Sequence, residues 1–82
     1  MGKTRRDVKL KTIKNQWEKI KIILEVIKPG EKVTAKEITE RIKKKGYSVE
    51  EKHIKMFIYY RMLHKYLKKE KKEGVNYYFL AR

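Results

Sequence analysis

Cysteine is absent from this chain, which excludes a disulfide staple, a thiolate metal site and a thiol nucleophile. Aspartate occurs once, at Asp7, and no acidic pair has the spacing of a metal site. No apolar run approaches the roughly 18 residues needed to span a bilayer, so no membrane association is expected. The start of the chain, with Lys3, Arg5, Arg6 and Asp7, lacks the apolar stretch of a signal peptide, and a cytoplasmic, nucleoid-associated protein is expected. Acidic residues are scarce as a group: ten Asp and Glu stand against twenty-four Lys and Arg.

What is present is charge of one sign on a small body. With 82 residues, one domain with a modest core is expected. The formal net charge of +14 repels itself unless a polyanion is met, and nucleic acid is the commonest polyanion for a small basic domain. The charge is unevenly placed. Residues 16–31 are neutral, whereas 1–15 carry +5, 32–48 carry +4, 49–66 carry +2 and 67–82 carry +3. The Lys, Glu and Ile enrichment with little Asn and Gln is a bias seen in hyperthermophile proteins.

Periodicity divides the chain. Leu10, Ile13, Trp17, Ile20, Leu24 and Ile27 recur at helical spacing and predict a first helix, secure from Gln16 to Lys28, with Trp17 in the core. Lys28-Pro29-Gly30 stops it. Lys32-Val33 suits a short strand. Thr34 to Lys45 reads as a second helix, with a Thr34/Glu37 capping box, an inner face of Ala35, Ile38 and Ile42, and a stop at Gly46. Ser48 and Glu51 make a second capping box for a third helix reaching about Lys65, with Val49, His53, Met56, Tyr60, Leu63 and Leu67 on one side. Val75 to Ala81 is strand-forming, and Gly74 in a charged tip predicts a hairpin turn.

A second and third helix joined by a short Gly-containing turn fit a helix-turn-helix, whose third helix enters the major groove. From Val33-Thr34-Ala35-Lys36-Glu37-Ile38 through Tyr66-Leu67 to Asn76-Tyr77-Tyr78-Phe79-Leu80, element order and apolar spacing resemble the winged-helix family of DNA-binding domains, its small basic archaeal members above all. The resemblance runs from about Gln16 to the C-terminus. It implies an α+β, mainly α fold: a three-helix winged helix-turn-helix with a C-terminal β-hairpin wing at 16–82. The cations of residues 1–15 make that segment a basic arm or helix extension.

Candidate nucleic-acid contacts follow from exposed cations. Lys52, Lys55, Arg61 and Lys65 lie on the third helix, with Lys52 and Lys55 near its start and Arg61 able to contact a guanine if it reaches the groove. Lys68, Lys69, Lys71 and Lys72 belong to the wing, where lysines also protect an edge strand. Lys3, Arg5 and Arg6 form the arm. Lysine outnumbers arginine at these positions, which favours backbone contact with weak sequence preference. Of the six tyrosines, Tyr47 and Tyr59 remain open to base stacking. Ile54, Ile58 and Met62 form a second apolar stripe on the third helix. It is either an exposed protein-contact patch or the true core face.

Ser48 reads as a cap, His53 and His64 stand apart from any acidic cluster, and no Gly-rich phosphate loop exists. The expectation is a non-enzyme without cofactor or metal. Duplex DNA is the expected partner, for a transcription regulator or an architectural factor, with a homodimer possible through the first-helix stripe or the Ile54/Ile58/Met62 patch. The competing readings are a small basic accessory subunit docking on a replication or transcription enzyme through that patch, and RNA or ribosome binding.

Overall fold

The computed structural model describes residues 11 to 81, so Lys3, Arg5 and Arg6 of the expected arm lie outside the described residues. Helix α1 spans Gln16–Val26, α2 Ala35–Lys44 and α3 Glu51–Phe57, the last continuing as one π-helical turn at Ile58–Met62. Strands β1, Leu67–Lys72, and β2, Val75–Leu80, pair antiparallel as a C-terminal hairpin. The fold is α+β, three helices followed by a two-stranded ribbon, in a winged-helix-like layout.

Local chemistry sets the ends of these elements. The Asn15 side chain accepts from the Glu18 amide at 2.8 Å and caps α1. At α2, Thr34 Oγ1 accepts from the Glu37 amide at 3.2 Å while Glu37 Oε1 accepts from the Thr34 amide at 3.0 Å, the reciprocal pair its sequence predicts. Gly46, at φ +100°, ends the second helical segment where a Cβ would be strained. The hairpin turns at Glu73 and Gly74, both at positive φ (52° and 80°), which matches the right-handed twist of the strands.

Three expectations about the helices need correction. Ile54, Ile58 and Met62 are not an exposed patch: each is 0% exposed, at the centre of the core. The opposite stripe, His53, Met56 and Tyr60, is the one facing out. Both stripes repeat at helical spacing, so period alone does not choose between them, and the more apolar one takes the core. The π turn serves this choice. The Leu63 amide donates to the Ile58 carbonyl at 2.8 Å, an i to i+5 bond that under-winds the helix. Four-residue steps drift around a helix of about 3.6 residues per turn, and the under-winding returns Met62 to the face of Ile54.

Trp17 is likewise outside the core, at 72% exposed. Helix α1 is apolar over more than one stripe, and Ile22, Ile23 and Val26 pack inward, leaving Ile20 and Leu24 half-buried. The Ser48/Glu51 box does not form. Helix α3 starts after Glu50 without a side-chain cap, and the Ser48 amide, which the box would give to Glu51, donates to the Lys11 carbonyl at 2.8 Å. The Lys11 amide in turn donates to the Gly46 carbonyl at 2.7 Å. These two bonds tie Lys11 to the turn between α2 and α3.

The core joins Ile22, Ile23, Val26 and Ile27 of the α1 region to Val33, Ala35, Ile38, Ile42, Ile54, Ile58, Met62, Leu67 and Tyr78. Val33 and Tyr78 exchange two backbone hydrogen bonds (2.9 and 2.6 Å) and tie the hairpin to the α1–α2 connection, so the expected short strand is a single bridge. Arg41 clamps that connection from α2, donating through Nη1 to the Val26 carbonyl at 2.8 Å and through both Nη atoms to the Glu31 carboxylate at 2.8 and 2.6 Å. The Arg41 hydrogen bonds, with help from the Lys28 amide, bring the Glu31 pKa down to about 2.

Candidate nucleic-acid interface

Every described lysine and arginine singled out from the sequence is exposed: Lys52, Lys55, Arg61, Lys65, Lys68, Lys69, Lys71 and Lys72. Among the described residues, Lys and Arg form ion pairs only in Lys32–Glu70 and Arg41–Glu31, so none of these eight cations is neutralised by a direct partner. They do not form one surface, however. The backbone sorts them into three groups.

The first group surrounds a cleft of about 320 Å³ between the start of α2, α3 and the hairpin tip. Thr34, Ala35, Lys36, Glu51, Lys55, Gly74, Val75, Asn76 and Tyr78 line it. Lys52, Lys55 and Tyr59 lie at i, i+3 and i+7, hence along one exposed side of α3. In the hairpin, Lys69 pairs with Tyr78 and Lys71 with Asn76, so these two lysines share the ribbon face of two of the residues that line the cleft, while Val75, at its rim, is on the opposite face. The N-terminal end of α2 adds its partial positive charge beside Lys36. Glu51 is the one carboxylate lining the cleft.

The second group is on the other ribbon face. Lys68 pairs with Phe79, Glu70 with Tyr77 and Lys72 with Val75. Here Lys32 Nζ lies 2.6 Å from Glu70 Oε1 and 5.3 Å from the Phe79 ring centroid. The Glu70 pKa is lowered, chiefly by the hydrogen bond from Lys32 and also by the nearby charge of Lys72. This face is thus partly self-neutralised, which the Lys69/Lys71 face is not.

Arg61 and Lys65 make the third group. Arg61 is in the π turn, and Lys65 lies beyond the helix in the turn before β1, not within α3 as its sequence suggests. Both line a recess against α1 with Gln16, Trp17, Ile20, Tyr60 and Tyr66, away from the hairpin tip.

Lys36 and Asn76 were not among the candidates read from the sequence. The capping box at Thr34 places Lys36 in the first turn of α2, but its approach to the hairpin tip depends on the Val33–Tyr78 bridge, a long-range contact. Among the described residues, no helix is long and apolar enough to cross a membrane. No protein-family model matches this chain, and no curated protein or solved structure matches it.

Proposed function

We propose that this chain is a non-catalytic nucleic-acid-binding protein of winged-helix type, engaging duplex DNA with weak sequence preference as a transcription regulator or architectural factor. The observation that carries the reading is the cleft between α3 and the hairpin, lined by Lys36 and Lys55, with Lys52 one turn away on α3 and Lys69 and Lys71 paired with its lining residues Tyr78 and Asn76, and with no ion-pair partner for any of the five among the described residues. An ammonium is a point charge suited to phosphate oxygens, and it lacks the planar fork that reads a guanine edge. Five such contacts position a duplex without selecting its sequence.

The accessory-subunit alternative loses the surface first offered for it, because Ile54, Ile58 and Met62 are buried. Homodimerisation through those residues falls for the same reason.

The test is a binding titration of random duplex over a range of salt. Five neutralised phosphates give a slope of log K against log salt of about −4.5. A slope near zero, or no binding at low salt, removes the reading. Tighter binding to an RNA of equal length at the same salt replaces DNA with RNA as the partner.

A further inference from the structure

Away from the cleft, α1, α3 and the π turn expose three large apolar side chains, two of them aromatic, among charged residues. Trp17 is 72% exposed, Tyr60 71% and Met56 52%. They lie along adjoining recesses. One is lined by Trp17, Ile20, Leu24 and Tyr66 among others, the next by Trp17, Tyr60, Arg61, Lys65 and Tyr66, and the last by Lys19, His53, Met56, Tyr60 and Arg61. Trp17 and Tyr66 belong to the first two, and Tyr60 and Arg61 to the second and third, so the three form one continuous track.

We infer that this track binds unpaired nucleic acid, with bases stacked on Trp17 and Tyr60 and the strand's phosphates met by Lys19, Lys21, Arg61 and Lys65. Charge selects this occupant. Those four cations face one carboxylate, Glu18, along the track. A second copy of the chain would set like charges against each other across its rim, whereas a polyanion neutralises them.

Ring exposure selects unpaired over paired bases. A duplex buries its base faces in the stack, and only a single strand offers them to an aromatic side chain. The Tyr60 ring is also pre-set. Tyr60 is held edge to face against Tyr59 at 5.0 Å and 84°, and Lys19 Nζ sits 4.9 Å from the Phe57 ring centroid. Exposed aromatic residues interleaved with cations are the composition of surfaces that bind single strands without sequence preference.

This site is distinct from the Lys55 cleft and stands or falls independently of duplex binding. Trp17 is the only tryptophan, so its fluorescence reports on the track alone. In a titration of the full chain with a short oligothymidylate, the inference expects Trp17 emission to be quenched to saturation. Trp17→Ala and Tyr60→Ala should each weaken oligothymidylate binding about tenfold, read by anisotropy of a labelled strand, and leave duplex affinity unchanged. Trp17→Phe should restore most of the loss. Both rings are exposed, and circular dichroism checks that the variants keep their fold. Unchanged emission at saturating oligothymidylate overturns the inference. So does an equal loss on duplex and single strand. A dimer in sedimentation that Trp17→Ala dissolves, without change in strand affinity, assigns the track to a second copy instead.

Discussion

The two faces of the hairpin should respond differently to the same chemical change. Lys69 and Lys71 share the face of Tyr78 and Asn76, while Lys68 and Lys72 share the face that carries the Lys32–Glu70 pair. With five phosphate contacts at the cleft, raising salt from about 50 to about 200 mM should lower duplex affinity about 500-fold. The double variant Lys69→Gln and Lys71→Gln removes two contacts, flattens the slope to about −2.7 and reduces that fall to about 40-fold. The double variant Lys68→Gln and Lys72→Gln removes the same formal charge from the same element and should leave the slope near its original value. Fluorescence anisotropy with a labelled random duplex at several salt concentrations measures both. Equal flattening by the two pairs would refute the division of the ribbon into a contacting and a non-contacting face. It would leave the lysines acting only through net charge.

Two further predictions concern stability. Ile58→Ala should cost about 2–5 kcal/mol, since it empties a fully buried position, and should lower the melting temperature by at least about 8 °C. Thermal circular dichroism checks this, and an unchanged melt would restore Ile58 to the surface. Glu31→Gln should destabilise the fold in a pH-dependent way. The Glu31 pKa is depressed from its ordinary value of 4.5 to about 2 in the folded chain, so its contribution is fully present above pH 4.5 and is lost as pH falls toward 2. Denaturant melts of the two proteins should differ at neutral pH and converge across that window. A gap of constant size would mean that the clamp does not depend on the carboxylate charge.

How much of this was legible in the sequence depended on how local the deciding contact was. The Thr34/Glu37 box spans three residues, and the stop at Gly46 and the turn at Gly74 depend on the backbone freedom of a single residue, so all three stand in the structure where the chain predicts them. Strand-forming residues flanking a charged Gly74 tip likewise gave the hairpin. The phase of α3 was not legible from period, since His53-Met56-Tyr60 and Ile54-Ile58-Met62 both repeat at helical spacing. The hydrophobicity of the second set was the better signal. Trp17 misled through its size: Ile22, Ile23 and Val26 of the same helix meet the core instead. The Ser48/Glu51 box does not form: α3 starts after Glu50, and the Ser48 amide goes to Lys11, a partner far away in sequence.

The candidate interface was legible in kind but not in arrangement. Exposed cations on α3 and the wing follow from composition and pattern. Their division among a cleft, a self-neutralised ribbon face and an aromatic track depends on strand register and on where α1 packs. Lys36 joins the cleft only through the bridge between Val33 and Tyr78.

The cleft between α3 and the hairpin is tested most directly by a nuclear magnetic resonance titration of the labelled chain with a random DNA duplex. The largest amide shifts should fall at Lys36, Lys52, Lys55, Lys69, Lys71 and Asn76, with Lys68 and Lys72 little moved. Shifts spread evenly over all exposed lysines, or absent from these six residues while the duplex is bound, would contradict it.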